Sequence, residues 1–290
     1  MLAIKNKYDF RFFYKLFSLV LILSNFILSI AFIFIDCFNN GYAIAFTKNH
    51  PILTHDVLDS LISYFFYFTI QSNFLILIWF IFVIFFPKQE GKQKYFFISP
   101  IVTLFLTIYI FDTMSVFLTV LLPSDYLRLS AVGWVKTMIF HVISPLLFII
   151  YVLCFYKFEH YNIESTWLID TKLFCKRKLW KVYIFPIFYL LINAVRSIIR
   201  LDYYSFFPHN KTILINNPYW IKYESAFIYP FLNWNKTLFN IPGLYYALVV
   251  FLIFFISTFI LLLFYKIFQI KQKKYNMSLN NSNVNINDIQ

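Results

Sequence analysis

Charged residues, glycine and cysteine are all scarce in this chain of 290 residues. Charged side chains make up only 13%, against roughly 25% in soluble domains. Four glycines cannot build a Gly-rich phosphate-binding loop, and neither a G-x-S-x-G elbow nor an H-E-x-x-H zinc motif occurs. These absences exclude the common sequence templates of soluble enzymes.

The three cysteines are Cys37, Cys154 and Cys175. The topology predicted below places the first outside, the second within a helix and the third inside, so no pair forms a disulfide without crossing the bilayer. No C-x-x-C pair is present, and the loop histidines His50 and His55 lack carboxylates at a metal-binding spacing. We therefore expect no disulfide, no metal site and no cofactor.

Apolar residues, by contrast, make up 61% of the chain, with 40 Phe and 22 Tyr. A soluble fold of this size could not bury that much apolar surface. The net charge of +12 is scattered over several short loops rather than gathered in one patch, which argues against a nucleic-acid partner. Composition therefore predicts an integral membrane protein whose first partner is the lipid bilayer.

Six apolar stretches are long enough to cross a bilayer, whose core of about 30 Å needs roughly 20 residues of helix. They are far longer than the strands of a membrane barrel. The sequence predicts an all-α, polytopic bundle of six transmembrane helices over residues 1–274 and a disordered cytoplasmic tail at 275–290, rich in Asn and Ser. The helices are predicted near residues 12–35, 58–86, 95–121, 134–156, 180–199 and 241–268.

The distribution of Lys and Arg predicts the orientation, because basic loops stay in the cytoplasm. Seventeen basic residues lie in the N-terminal segment, the 2–3 loop, the 4–5 loop and the tail, against seven in the other loops. This bias predicts a multi-pass protein of the cell membrane with both termini cytoplasmic (N-in/C-in). The long loop between helices 5 and 6 then lies outside, and its many aromatic residues lead us to expect that it folds back against the membrane.

Polar side chains recur in helices 2 to 5, mostly at spacings of three and four residues that place them on one helix face. Such groups are costly in a membrane and are functional candidates by default. They lie at depths of roughly 10 to 16 Å from the predicted outer surface, so we expect one polar cavity that opens toward the outside or the outer leaflet. The candidates are Thr69, Gln71, Ser72, Asn73, Asp112, His141, Ser144, Asn193 and Arg196.

Each candidate also has a purely structural interpretation. Thr69 could bond its own helix backbone, and Asp112 could form an ion pair with Arg196 that only fixes the packing. His141 could be an ordinary core histidine, and the amide side chains could simply link helices. Against this, a threonine becomes a nucleophile when a base removes its proton, and histidine is the usual base near neutral pH. Thr69 and His141 form the minimal catalytic pair.

Three short segments, at residues 68–75 (FTIQSNFL), 141–147 (HVISPLL) and 229–232 (YPFL), carry a resemblance. They look like a bacterial family of six-helix integral membrane proteins, which is similar to the eukaryotic androgen-induced and androgen-dependent TFPI-regulating proteins. Those proteins are threonine hydrolases of fatty acid esters of hydroxy fatty acids. The resemblance implies Thr69 as nucleophile, His141 as its base, Tyr229 as a binding residue, and a lipid or amphipathic substrate.

Three functions stay open at this point. The first is an intramembrane lipid-ester hydrolase, and the second is a non-enzymatic protein that binds or transports a small solute. The lack of Gly- or Pro-broken helix pairs and of inverted repeats disfavours a secondary transporter. The third is a structural role, which a separation of Thr69 from His141 above about 8 Å would favour, since no contact or bridging water could then join them.

Overall fold

The fold is known from a computed structural model. Its described residues are almost all helical, and six of the helices are long and apolar enough to cross a membrane. The predicted all-α, multi-pass fold is therefore confirmed, while the orientation of the termini stays a prediction. The structure describes residues 2–40, 57–92, 95–122, 131–156, 170–206, 227–229, 232–235 and 237–287.

The six candidate spans follow the chain in order and are numbered here from 1 to 6. They are Phe10–Ile35, Phe68–Phe85, Pro100–Leu121, Ala131–Cys154, Leu179–Ile199 and Leu244–Lys273. The α-helices that form and flank them are α1 (Leu2–Asn40), α2 (Val57–Phe65), α3 (Phe68–Phe85), α4 (Pro100–Val116), α5 (Ala131–Met138), α6 (Ser144–Cys154), α7 (Thr171–Arg177), α8 (Ile184–Phe206) and α9 (Leu244–Asn287).

The second predicted helix, residues 58–86, is interrupted rather than continuous. Helices α2 and α3 end and begin on either side of Tyr67, whose backbone is extended (φ −71°, ψ 130°). Neither Pro nor Gly lies nearby; instead the Tyr67 ring packs edge-on against the ring of Tyr229, with centroids 5.5 Å apart. Because tertiary packing makes the break, Thr69 lies in the first turn of a span and not midway along a long helix.

Span 4 departs from α-helical geometry where it carries the predicted base. The stretch Ile139–Ile143 is a π-helical turn, in which the Ser144 N–H bonds the carbonyl five residues earlier. The next residue, Pro145, has no N–H to donate. The carbonyl of Phe140 therefore has no partner within its own helix, and it accepts a hydrogen bond from a neighbouring span.

The last helix begins and ends at other residues than the sequence predicts. It starts at Leu244 rather than near residue 241, because Ile241–Pro242 pairs with Thr237–Leu238 in a short antiparallel hairpin. It also continues to Asn287, so residues 275–287 have a helical backbone where the sequence predicts a disordered tail. Once a helix is nucleated, each further residue adds one hydrogen bond, which explains why it extends beyond its apolar part.

The described core is aromatic at its centre. Trp79, on α3, is fully buried, and its ring packs edge-on against Phe148 and Tyr151 with centroids 5.1 and 5.5 Å away. Its indole N–H donates to the hydroxyl of Thr103 at 3.0 Å. These contacts fix spans 2, 3 and 4 against one another, and they set the distance between the helices that carry Thr69 and His141.

A buried ion pair closes the end of the bundle that the sequence predicts to be cytoplasmic. Lys15 Nζ lies 3.2 Å from Glu90 Oε2, and the two side chains are only 7% and 3% exposed. The hydroxyl of Tyr151 donates to the other oxygen of the same carboxylate at 2.7 Å. The cluster therefore links α1, the loop after α3 and span 4, far along these helices from the predicted site.

Candidate functional site

Thr69 and His141 are in direct contact. The Oγ1 atom of Thr69 lies 3.0 Å from Nε2 of His141, well inside the separation of about 8 Å above which a structural role would be favoured. Thr69 is buried, and His141 is half-buried. The break before α3 and the π turn of span 4 bring the two side chains together.

Hydrogen bonding gives the His141 ring the tautomer that a general base needs. Its Nδ1 atom lies 2.9 Å from the carbonyl oxygen of Thr137, and because a carbonyl only accepts, Nδ1 carries the hydrogen. In the neutral ring Nε2 then has a lone pair, which accepts the hydroxyl hydrogen of Thr69. Phe117 stacks on the imidazole at 4.3 Å and 28°, from a second π turn at the end of span 3.

Asn73 joins the two halves of this pair. Its side-chain amide donates to the carbonyls of Thr69 at 2.8 Å and Phe140 at 2.9 Å, while its oxygen accepts from the Ser144 hydroxyl at 2.5 Å. The residue is completely buried. Asn73 thus connects the first turn of α3 to the π turn that carries His141, and we infer that it positions the pair without touching a substrate.

Ser72 fixes the same turn from its other side. Its hydroxyl donates to the carbonyl of Thr69 at 3.1 Å and contacts the hydroxyl of Thr113, on α4, at 2.8 Å. Both hydroxyls are buried. Most of the polar groups that the sequence singles out on span 2 therefore bond one another or the backbone, and they support the Thr69 turn.

Tyr229 approaches Thr69 from the segment that precedes span 6. Its hydroxyl lies 3.4 Å from Thr69 Oγ1, and its side chain is buried. Burial raises the pKa of Tyr229, whereas its hydrogen bonds with the Thr69 hydroxyl and with the backbone of Thr69 and Phe68 lower it. The hydroxyl oxygen of Tyr229 therefore lies where the first backbone amides of α3 point.

A cavity of about 820 Å³, counted with its open mouth, reaches this cluster. Thr69, Asp112 and Tyr229 line it, and the rest of its wall is mainly apolar and aromatic side chains from spans 3, 5 and 6. His141 is not among the lining residues, so the cavity opens on the nucleophile side of the pair. The expected polar cavity of helices 2 to 5 is therefore corrected: span 6 supplies a wall, and span 4 lies behind Thr69.

The chain matches no protein-family model, no curated protein and no solved structure. The likeness to the threonine hydrolases accordingly stays an expectation.

The two charged candidates meet different partners rather than each other. Asp112 lines the cavity and accepts from the hydroxyl of Ser257 at 2.7 Å. Arg196 donates to the hydroxyl of Ser63 at 3.2 Å and lies over the ring of Phe66, 5.4 Å from its centroid. Asp112 is thus part of the cavity, and Arg196 instead connects span 5 with the segment around α2.

Two other candidates lie away from the Thr69–His141 pair. Gln71 donates across the helix break to the carbonyl of Phe65 at 3.0 Å. Asn193 donates to the carbonyl of Tyr189, one turn back in its own helix, at 2.9 Å and faces a second, smaller pocket. Both positions stay untested as binding residues, and the geometry gives each of them a local structural partner.

The sequence did not single out Tyr189 or Ser257, which both line the cavity. Tyr189 lies one helical turn before Asn193, so it continues a polar stripe that the sequence does show. Ser257 lies next to Thr258 in the apolar part of α9, and nothing in the sequence distinguishes it until its contact with Asp112 is known. With 22 tyrosines in the chain, residue type alone could not have marked Tyr189.

Proposed function

We propose that this multi-pass membrane protein is an intramembrane ester hydrolase that uses Thr69 as its nucleophile and His141 as its general base. The observation that carries the proposal is the 3.0 Å contact between Thr69 Oγ1 and His141 Nε2, with the opposite ring nitrogen bonded to a carbonyl. A nucleophile hydrogen-bonded to a base, which a further group orients in turn, is the general arrangement of covalent catalysis.

The reaction proceeds in two balanced steps. Thr69 Oγ1 attacks the ester carbonyl carbon while its proton moves to His141 Nε2, and the tetrahedral intermediate then loses the alcohol, which takes that proton. Water next gives a proton to the same nitrogen and attacks the acyl-threonine. The acid leaves, the proton returns to Thr69 Oγ1, and ester plus water have become acid plus alcohol.

The cavity supports a lipid-like ester as the substrate. Its mainly apolar wall lies within the membrane-spanning bundle and would take up an acyl chain, while Thr69 and Tyr229 provide polar groups at one point of that wall. An ester bond flanked by a hydrocarbon chain would thus be held with its carbonyl beside the nucleophile. The resemblance to hydrolases of fatty acid esters points to the same chemical class.

A binding protein for amphipathic molecules is the second candidate. It is favoured by Asp112, a buried carboxylate that lines the cavity and is bonded to Ser257. Such a protein would use the cavity without breaking a bond. The hydrolase and the binding protein differ in what they require of Thr69. Hydrolysis requires its hydroxyl as the nucleophile, whereas binding requires only that the side chain form part of the cavity wall.

The test uses the full chain purified in detergent and reconstituted in nanodiscs. Fluorogenic esters with acyl chains of increasing length measure turnover, and an acyl fluorophosphonate labels an activated hydroxyl, with the modified residue identified by peptide mass spectrometry. The variants are Thr69→Ala, Thr69→Ser and His141→Gln. Thr107→Ala is the matched control, since Thr107 is a buried threonine whose hydroxyl bonds only its own helix at 2.7 Å among the described contacts.

We expect Thr69→Ala to abolish both turnover and labelling, and His141→Gln to lower turnover by about 10² to 10⁴-fold, the usual contribution of a general base. Thr69→Ser and Thr107→Ala should stay active. A wild-type protein that hydrolyses none of the esters and takes no label at Thr69 would refute the hydrolase. Binding of the same esters that is unchanged in Thr69→Ala would then support the second candidate.

A further inference from the structure

The hydroxyl of Tyr189 is a buried polar group with no hydrogen-bond partner among the described residues. The side chain is only 6% exposed, and it lines the same cavity as Thr69 and Tyr229. An unsatisfied hydroxyl in such a place costs about 1–3 kcal/mol. The Tyr189 hydroxyl lacks an acceptor among the described side chains and faces a cavity, so a ligand in that cavity could supply the acceptor.

The position of Tyr189 relates it to the nucleophile. Its ring packs edge-on against Phe68 with centroids 5.2 Å apart, and its hydroxyl lies beside the backbone of that residue. Phe68 and Thr69 are the first two residues of α3, so their N–H groups have no acceptor within the helix. No side chain of the preceding Tyr67 caps them.

An oxygen atom of the protein already lies beside the backbone N–H groups of Phe68 and Thr69. The hydroxyl oxygen of Tyr229 interacts with the backbone of both Phe68 and Thr69 and lies 3.4 Å from Thr69 Oγ1. That oxygen stands in for the carbonyl oxygen of an ester whose carbon faces the nucleophile. The hydroxyls of Tyr189 and Tyr229 both approach the backbone of Phe68. A substrate oxygen that replaced the Tyr229 oxygen would therefore lie on the side of Phe68 where Tyr189 has its hydroxyl.

We propose that the Tyr189 hydroxyl, together with the backbone N–H groups of Phe68 and Thr69, forms the oxyanion hole of this site. During attack by Thr69, the electron pair of the ester C=O bond moves to its oxygen, and these three donors stabilise the resulting negative charge. When the intermediate collapses, the pair returns and the bond to the alcohol breaks. This inference rests on the proposed hydrolase, and it makes Tyr189 a catalytic residue.

The variant Tyr189→Phe tests this role, because it removes one oxygen atom and keeps the ring. We expect the kcat for the fluorogenic esters to fall by about 10² to 10³-fold, as for other oxyanion donors, with KM changed by less than about threefold. Because the lost hydroxyl has no hydrogen-bond partner in the described part of the chain, the thermal midpoint should stay the same or rise. Tyr64→Phe is the matched control, since Tyr64 is a partly buried tyrosine outside the cavity, and it should keep wild-type kcat.

A second readout separates this role from a structural one. A trifluoromethyl ketone with an acyl chain forms a hemiketal anion on Thr69. In Tyr189→Phe its inhibition constant should increase by the same factor by which kcat/KM decreases. If Tyr189→Phe keeps turnover within threefold of wild type, or loses turnover and thermal stability together, the oxyanion role is wrong while the hydrolase survives. If wild type has no turnover and no Thr69 adduct, both proposals fail.

Discussion

Replacing Asn73 with alanine should separate the catalytic pair while leaving both of its members in the chain. The substitution removes three hydrogen bonds: those from the amide to the carbonyls of Thr69 and Phe140, and that from the hydroxyl of Ser144. Among the described contacts, only the Thr69–His141 bond itself also joins the first turn of α3 to the π turn of span 4. We therefore expect Asn73→Ala to be less stable and catalytically impaired.

The size of the loss follows from these contacts. Side-chain hydrogen bonds between membrane helices average about 0.6 kcal/mol. Two of the three bonds join α3 to span 4 and the third lies within α3, and at the same value for each the three contribute about 2 kcal/mol. Ser144 is fully buried, and its unsatisfied hydroxyl adds about 1 kcal/mol or more. A loss of about 3 kcal/mol corresponds to a fall of roughly 6 to 12 °C in the thermal midpoint, at about 2–4 °C per kcal/mol for a chain of this size class.

The measurement compares Asn73→Ala with Gln71→Ala in the same detergent by intrinsic-fluorescence thermal unfolding. Gln71 also lies on α3, but it makes one bond at the surface of the bundle, so its loss should lower the midpoint by no more than about 1 to 2 °C. Fluorophosphonate labelling of Thr69 should fall only in Asn73→Ala. Equal midpoints for the two variants, or full labelling in Asn73→Ala, would show that the network around Asn73 does not hold the pair.

Two further variants test other parts of the fold. Pro145→Ala restores a backbone N–H in span 4, so the π turn can revert to an α-helix. We expect this variant to have a higher thermal midpoint and a lower ester turnover. An unchanged turnover would contradict the role of the π turn in positioning His141. Lys15→Met leaves the carboxylate of Glu90 buried without its cation and should cost about 3 kcal/mol. The thermal midpoint of the double variant Lys15→Met/Glu90→Met should lie above that of Lys15→Met alone. Equal midpoints for the two variants would mean that the two charges are not coupled.

The sequence was sufficient to predict the number of spans and the contact between Thr69 and His141. Six apolar runs determine the number of helices, since backbone in lipid has to bond within its own segment. The depth of Thr69 below the membrane surface stays a prediction, because the break before α3 places this residue in the first turn of span 2. Asn73 and Ser144, each on the face of its catalytic neighbour, are likewise found together.

The sequence could not predict the irregular turns that shape the site. The break at Tyr67 depends on a contact with Tyr229, more than 150 residues later in the chain, and no Gly or Pro signals it. The ion pair considered between Asp112 and Arg196 does not form for a similar reason, since Asp112 instead accepts a hydrogen bond from Ser257 of span 6. Only Pro145 is a visible sign of the π turn, and proline alone does not distinguish a kink from a widened turn.

Three departures from regular helix meet at Thr69 and His141: the break before α3 and the π turns that carry His141 and Phe117. In a membrane each such departure exposes backbone groups that lipid cannot satisfy, so it persists only where other groups satisfy them. Asn73 does so for the carbonyl of Phe140. The amides of Phe68 and Thr69 have the Tyr229 hydroxyl instead. Continuous helices would satisfy these backbone groups without help from side chains and would make a more stable bundle. The irregular turns therefore support a chemical role for this site.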